Sequence, residues 1–152
     1  MSPSPLTPME LALAEAEAAA ARGEVPVGAV VVDGASGAVL AAAFNRTEAD
    51  HDPSAHAEIL ALRAAAKRLG SPRLTNCDLY VTLAPCAMCA QAISFARIRR
   101  LYYGARDAKG GGVEHGARVF THATCHHRPE IYGGIEEHRA GEMLKKFFQE
   151  RR

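Results

Sequence analysis

The sequence predicts an α/β fold, a three-layer α/β/α sandwich around a mixed sheet of about five strands, in a single domain over residues 1–152. Its 152 residues, of which 48% are hydrophobic and 23% charged, have the size and composition of one globular domain. Strand-like and helix-like segments alternate along the chain, which is typical of parallel strands covered by helices. The first two strand-like segments are joined by a short turn and must be antiparallel, so the sheet is mixed.

The first elements follow from local signals. Residues 1–8, with several Ser and Pro, are expected to form a flexible lead. The Ala- and Glu-rich segment 8–23 predicts an amphipathic helix that ends at Gly23. Two apolar runs, 25–33 and 38–45, flank a Gly-containing connector and predict a β-hairpin.

A second helix is predicted after the polar loop 46–53. It covers 54–70, with Ser54 or Asp52 as its N-cap and Gly70 near its end. Its Ala and Leu residues favour a helix that packs against the sheet.

The remaining elements alternate between strand and helix. They are a strand at 78–84, a helix at 85–98, a strand at 99–105, a short strand at 130–135 and a helix at 136–152. Pro85 stands where proline commonly opens a helix. The intervening loop 105–129 carries Gly, His and Lys with weak periodicity, and a loop of this length is usually functional or mobile.

Composition narrows the class of protein. The formal net charge of +1 gives no overall basic field that would indicate nucleic acid, so only local clusters of charge are informative. Neither a signal peptide nor an apolar run long enough to span a bilayer is recognised, so we expect a cytoplasmic protein without a membrane partner. In that reducing compartment the four cysteines are expected to be thiols or metal ligands. Cys77 is expected to be a small buried hydrophobe.

The strongest chemical signal is the stretch LAPCAMC at 83–89. Cys86 and Cys89 are three residues apart near a helix start, which puts both sulfurs on one face. A helix N-terminus stabilises thiolates, and thiolates are the form that binds metal. The motif alone leaves open a zinc site, a redox pair or two buried thiols.

His56 and Glu58 supply possible partners for the cysteines. His56 opens a helix that follows a strand, as the cysteine pair does, so the three residues are expected to converge at one sheet edge. Zinc with three protein ligands keeps a fourth position for water, which is typical of a catalytic site. Glu58 could move the proton of that water. An ideal helix places residues two apart roughly 200° around its axis, so both side chains can face one pocket only from the very start of the helix.

These motifs resemble those of a known family. HAE at 56–58 and PCAMC at 85–89 resemble the signature of the zinc-dependent, cytidine-deaminase-like superfamily. Further segments resemble bacterial tRNA-specific adenosine deaminases (the TadA family), and they are VPVGAV at 25–30, NR at 45–46, HDPSAHAEI at 51–59, LYVTL at 79–83 and YGARDAKGG at 103–111. The likeness runs from about Glu10 to the C-terminal FFQERR, which makes it far more specific than the zinc motif alone.

The resemblance implies a hydrolase that edits tRNA. Its reaction would convert adenosine to inosine at the wobble position of an anticodon stem-loop, in bacteria that of an arginine tRNA, and the enzyme would be a homodimer with one Zn²⁺ per subunit. The metal ligands would be His56, Cys86 and Cys89. Glu58 would be the catalytic proton shuttle, which takes a proton from the zinc water and gives it to the ring nitrogen N1.

The resemblance also implies a set of substrate-binding residues, which are Asn45, Ala57, Asp107, Lys109 and Phe148. Asn45 would hydrogen-bond the flipped base, and Ala57 would contribute backbone groups. Asp107 and Lys109 match a loop beside the target nucleotide. Phe147 and Phe148 are adjacent on a helix and cannot face the same way, so one is expected in the core and the other in the RNA groove.

Two features depart from the family pattern. Ala84 stands where the family has Glu, so any role of that carboxylate near the metal is in doubt, although no zinc ligand is lost and we expect the metal to stay bound. Cys125, His126 and His127 could form a second metal site. Neighbouring residues rarely all face one ion, so a substrate contact or a place near the dimer seam is favoured for one of the histidines.

Two other functions remain open. One is deamination of a free base or nucleoside such as guanine or cytosine, which the zinc motif does not distinguish. The other is a non-catalytic zinc- or RNA-binding module, against which Glu58 argues because a structural zinc site needs no such carboxylate. Two basic clusters weakly support RNA binding. One consists of Arg97, Arg99 and Arg100, and the other of Lys145, Lys146, Arg151 and Arg152.

Overall fold

The computed structural model describes residues 6–151. Within them lie four helices, five strands and one short 3-10 turn. In chain order these are α1 (Pro8–Ala21), β1 (Gly28–Asp33), β2 (Val39–Phe44), α2 (Ala57–Leu69), β3 (Cys77–Leu83), α3 (Ala87–Phe95), β4 (Arg100–Ala105), the 3-10 turn (Val119–Thr121), β5 (Glu130–Tyr132) and α4 (Glu137–Gln149). No helix in this part of the chain is both long and apolar enough to cross a bilayer.

The sheet is mixed, as the sequence predicts. Its strand order is β2-β1-β3-β4-β5. Strand β1 runs antiparallel to both of its neighbours, and β3, β4 and β5 run parallel. The carboxyl ends of β2, β3 and β4 therefore share one edge of the sheet, and residues 24–27, which precede β1, reach the same edge.

Helices cover both faces of the sheet and complete the three layers. Alternate residues of β1 point to opposite faces because the side-chain period of a strand is two. Val31 packs with α2 and α3, whereas Val30 and Val32 pack with α1 and α4. Cys77 is buried, as expected for a small apolar residue, and belongs to the α2 and α3 side of the core.

Helix α1 lies unusually close to β1 at Gly28. A Cβ atom at this position would stand 1.9 Å from the Ala12 carbonyl oxygen and 2.7 Å from the Ala16 nitrogen. The Gly28 amide donates a hydrogen bond of 3.2 Å to the buried Thr82 hydroxyl of β3. Only a residue without a side chain fits between the helix backbone and the sheet here.

The predicted N-terminal boundaries of two helices are corrected. Helix α2 begins at Ala57 with His56 as N-cap, not Ser54 or Asp52. The Asp52 carboxylate instead accepts bonds from the Ser54 amide and hydroxyl, at 2.9 and 2.8 Å, which closes a turn before the helix. Helix α3 begins at Ala87 with Cys86 as N-cap, two residues after Pro85. Gly70 ends α2 in the left-handed conformation, as predicted.

Other predicted helix ends also shift. Thr7 caps α1 in a capping box with Glu10, so Pro8 belongs to the helix and not to the lead. Residues 1–5 of that lead lie outside the described residues, as does residue 152 of the predicted final helix. Helix α3 stops at Phe95, short of the predicted 98, and Arg97 follows in the left-handed region at φ 62°.

The basic cluster of Arg97, Arg99 and Arg100 lies at the opposite end of the strands from the shared carboxyl edge. Arg99 donates two bonds to Asp78, at 2.9 and 2.8 Å. Arg100 pairs with Glu130 at 2.7 Å. These carboxylates offset two of the three charges, so this cluster is a weak candidate for RNA binding.

Candidate active site

Two helix starts meet at the carboxyl edge of the sheet. His56 is the N-cap of α2 and Cys86 is the N-cap of α3, and both have extended backbones. Neither side chain forms the usual capping bond to its own helix, so both are free to bind another group. Cys89 follows Cys86 within the first turn of α3.

The three side chains form a metal-ligand set. The His56 Nδ1 atom lies 3.7 Å from the Cys86 sulfur and 3.5 Å from the Cys89 sulfur. A tetrahedral zinc ion with ordinary Zn–S and Zn–N bonds would separate such N and S atoms by about 3.6 Å. Zinc binds imidazole nitrogen and thiolate sulfur, and this set offers one imidazole and two sulfurs. The donor set therefore fits one Zn²⁺ and leaves a fourth position open.

Contacts within this set shift the pKa values of its three members. A hydrogen bond with the Cys89 thiol lowers the pKa of Cys86 to about 4. The same contact raises the pKa of Cys89, and the bond to Cys86 raises the pKa of His56. Cys86 is thus the ligand that most readily supplies a thiolate, whereas the Cys89 thiol would lose its proton as a metal binds.

Glu58 lies beside this set and is almost completely buried, with 4% of its surface exposed. It lines the same cavity as His56. The two-residue spacing is compatible with this because His56 is extended, so the rotation of an ideal helix does not apply between them. Burial raises the pKa of Glu58 to about 7, which suits a group that takes up and releases protons near neutral pH.

A cavity of about 270 Å³ opens at these residues. Its walls are Val25, Val27, Asn45, Thr47, His56, Ala57, Glu58, Leu83, Ala84, Cys86 and Asp107. Asn45, Ala57 and Asp107, which the family resemblance predicts to bind substrate, lie in this wall. Lys109 and Phe148 do not line it. The volume suits a single base more than a longer ligand.

The sequence does not predict several of the lining residues as part of a site. Val25 and Val27 have the apolar character of core residues, which predicts a strand and not a site. Thr47 is two residues from Asn45, and this closeness in sequence is the signal that could indicate its place in the cavity wall. Ala84 is 6% exposed and lies in the wall directly before the cysteine motif.

Asn45 carries an unsatisfied acceptor. The residue is 7% exposed, and its Oδ1 atom has no hydrogen-bond partner among residues 6–151. Its Nδ2 atom makes only a long contact of 3.5 Å to the Val25 carbonyl. A buried acceptor without a partner is costly, so a ligand that donates to it would be stabilised.

The loop and C-terminal candidates lie further out. The Asp107 carboxylate accepts bonds from the Lys109 and Gly110 amides, at 3.2 and 2.8 Å, and so closes the turn that follows β4. Lys109 is exposed on that turn. Phe147 is buried and Phe148 is 51% exposed, which confirms that one of the two phenylalanines belongs to the core.

The side chains of Cys125, His126 and His127 do not come together as a metal-ligand set in the structure. Among residues 6–151, one group of three side chains has its ligand atoms close enough together to bind a metal ion, and it consists of His56, Cys86 and Cys89. The His127 ring bonds the Ile98 carbonyl at 2.7 Å, and the His127 carbonyl accepts the Ser94 hydroxyl at 2.7 Å. These contacts attach the long loop to the end of α3.

Comparisons with known proteins agree with this site. The family described as the cytidine and deoxycytidylate deaminase zinc-binding region matches residues 5–105. The tRNA-specific adenosine deaminase of Agrobacterium fabrum is 57% identical over 144 residues, which cover 95% of this chain and 93% of that protein. A solved structure from studies of A-to-I editing by tRNA:A34 deaminases has a TM-score of 0.88 and 57% identity, and covers 90% of this chain and 98% of its own.

A guanine deaminase from Bacillus subtilis shares less with this chain. Its structure is 38% identical with a TM-score of 0.62, and the match covers 66% of this chain and 63% of that one. The higher identity, 57% against 38%, lies with the tRNA enzymes. The chain therefore belongs to the zinc-dependent cytidine and deoxycytidylate deaminase family and, within it, to the tRNA-specific adenosine deaminases.

Proposed function

We propose that the protein hydrolyses adenosine to inosine at the wobble position of a tRNA anticodon stem-loop, with an arginine tRNA as substrate in the cytoplasm. The observation that carries the proposal is the cavity, which brings a zinc-ligand set, the buried Glu58 and the unsatisfied Asn45 acceptor together in one base-sized space. The names of two relatives described above, a tRNA-specific adenosine deaminase and a tRNA:A34 deaminase, state the same kind of substrate.

The chain's own residues supply the proton transfers. His56, Cys86 and Cys89 would hold a zinc ion, which when bound would supply Lewis acidity that brings the pKa of water towards the neutral range. Glu58 takes the proton that water loses as the water oxygen bonds to C6 of the adenine ring, and delivers it to N1. The remaining proton of the water, now on the C6 hydroxyl, passes through Glu58 to N6; the C6–N6 bond breaks, the C6 carbonyl forms, and ammonia leaves. Adenosine and water thus give inosine and ammonia.

The base is held by groups at the cavity wall. A base in an RNA stack cannot enter so enclosed a site, so the target nucleotide must be turned out of the stack. The Asn45 Oδ1 atom can accept a hydrogen bond from the base. Ala57 is the first residue of α2, and the N–H groups of a first helical turn have no acceptor within the helix. Its amide is therefore available to a ring nitrogen or oxygen.

The test is deamination of an anticodon stem-loop that carries adenosine at the wobble position. We expect one inosine and one ammonia per stem-loop, and no reaction with free guanine or with a stem-loop that carries guanosine at that position. Liquid chromatography of the digested RNA measures the inosine. Turnover of free guanine with no inosine in the RNA would overturn the proposal in favour of a free-base deaminase.

The proposal includes a homodimer, supported by an apolar groove on α2 and α3. Its walls include Ile59, Leu62, Ala66, Leu74, Ala92 and Phe95. Phe95 is 72% exposed, which is unusual for so large an apolar side chain. The groove lies on α2 and α3, whose N-caps His56 and Cys86 belong to the metal-ligand set, so a second subunit here would contact helices that carry the active site.

The variant Phe95→Arg is expected to raise the dimer dissociation constant at least tenfold. Burial of a phenylalanine contributes about 2 kcal/mol, and a guanidinium in its place would have to be desolvated. Sedimentation equilibrium measures the constant. Phe148→Arg is the matched control, since Phe148 is exposed on α4 and should leave the dimer unchanged. A monomeric wild-type protein at micromolar concentration would contradict the prediction.

A further inference from the structure

Glu24 is a buried ionisable residue outside the metal site. Only 2% of its surface is exposed, although a carboxylate normally stays in water. Its Oε1 atom accepts the Glu48 amide at 3.1 Å and its Oε2 atom accepts the Ala49 amide at 2.8 Å. Its own amide donates to the Ala19 carbonyl at 3.0 Å, which fixes it to the end of α1. The carboxylate therefore connects a rigid helix end to the loop after β2.

The two segments that Glu24 connects are two walls of the cavity. Val25 and Val27 follow Glu24 and form one wall, and Asn45 and Thr47 form the other. The walls also touch through the Asn45 amide, which donates to the Val27 carbonyl at 3.1 Å. Beyond Thr47, the second wall is held to the first by the hydrogen bonds from the loop to the Glu24 carboxylate.

The loop held in this way runs from Asn45 to His56. The Arg46 amide donates to the Ala55 carbonyl at 3.0 Å, so the ends of the loop are close together. Its middle, at Glu48 and Ala49, is exposed to solvent apart from the two bonds to Glu24. Charge-assisted bonds to two successive amides fix both the direction and the register of a backbone, which apolar packing does not.

We propose that Glu24 is a positioning residue for the reaction. Its carboxylate holds the 47–49 turn against the 24–27 segment, and so sets the width of the cavity and the place of the Asn45 Oδ1 atom against the substrate base. The inference rests on the proposed function, because the base is the ligand that Asn45 would meet. Glu24 itself does not line the cavity and touches no reacting atom.

The variant Glu24→Gln tests this role, because it keeps the size of the side chain and removes one of the two acceptors. We expect KM for the anticodon stem-loop to rise about tenfold while kcat stays within about twofold, since a misplaced Asn45 weakens the binding of ground state and transition state alike. Zinc should remain at one per chain. The matched control is Glu48→Gln, which changes an exposed carboxylate on the same loop and should leave both constants unchanged.

A purely structural role of Glu24 gives a different pattern. It would lower the fraction of folded, zinc-loaded enzyme, and with it kcat per chain, while KM of the remaining enzyme stayed the same. That pattern, or unchanged kinetics, would overturn the proposal.

Amide hydrogen exchange measures the hydrogen bonds of the Glu48 and Ala49 amides to Glu24 without any substrate. We expect the Glu48 and Ala49 amides to be protected in the wild-type protein and to exchange at least tenfold faster in Glu24→Gln, with the Leu60 amide of α2 unchanged. Freely exchanging Glu48 and Ala49 amides in the wild-type protein would overturn the proposal even if the stem-loop is deaminated. Failure of the stem-loop reaction alone would count against the proposed function, and exchange would still report on Glu24.

Discussion

Replacing Glu58 with glutamine is expected to slow deamination by roughly 10²- to 10⁴-fold while zinc stays bound. The amide fills the same buried space in the first turn of α2, so the cavity and the ligands His56, Cys86 and Cys89 keep their places. An amide cannot take a proton from water or pass one to N1 of the base. The transferred protons then have no acceptor in the site, and the barrier rises.

Single-turnover kinetics with the wobble-adenosine stem-loop measure this effect, and metal analysis of the same sample measures zinc. Glu17→Gln is the matched control, because Glu17 is an exposed carboxylate on α1. A Glu58→Gln enzyme that retained more than about a tenth of the wild-type rate would refute the proton-shuttle role, since such groups contribute at least about 10²-fold. Loss of zinc from that variant would instead indicate that Glu58 supports the metal.

Gly28→Ala is expected to destabilise the fold by about 3 kcal/mol or more. The new methyl group would meet the Ala12 carbonyl oxygen and the Ala16 nitrogen, both backbone atoms of α1 that have no other rotamer to adopt. Helix α1 must then move away from β1, and the apolar contacts of that core open. Since domains of this kind are stable by only about 5–15 kcal/mol, much of the total is lost.

Thermal and urea unfolding followed by circular dichroism measure this change in the free energy of unfolding. Gly141→Ala in α4 is the matched control, because a Cβ atom there meets nothing within 4 Å. That substitution should stabilise the protein by roughly 0.5–1 kcal/mol through helix propensity. The same Gly→Ala change should therefore lower the free energy of unfolding at Gly28 and raise it at Gly141. A Gly28→Ala protein as stable as the wild type would disprove the close approach of α1 to β1.

The order of helices and strands could be predicted because its signals are local. Apolar periodicity lies within each segment, and Gly70 directly follows the helix that it ends. The start of α2 could not be predicted, although it too depends on nearby residues. Asp52 and Ser54 are good N-cap residues, but they bond each other in a preceding turn, and His56 takes the cap position without a capping bond.

The metal ligands could be predicted from residue chemistry, whereas the cavity walls could not. Zinc requires sulfur or imidazole ligands, so Cys86, Cys89 and His56 are conspicuous in the sequence. Val25 and Val27 look like any core valine, and their exposure to a cavity depends on how residues 24–27 cross the sheet edge. Glu24 is harder still to predict, because its burial follows from amides more than twenty residues away.

Strand β5 has a consequence for the motions of the active site. It is a three-residue edge strand, it pairs with β4 alone, and all three of its residues are exposed. Short exposed edges have the lowest free energy of local opening, so β5 is expected to fray before the central strands. It also anchors the far end of the loop 106–129, whose near end carries Asp107 at the cavity. The bonds of His127 to Ile98 and Ser94 hold this loop to α3 just before β5. Fraying of β5 is therefore expected to stop there and to leave Asp107 and the metal ligands in place.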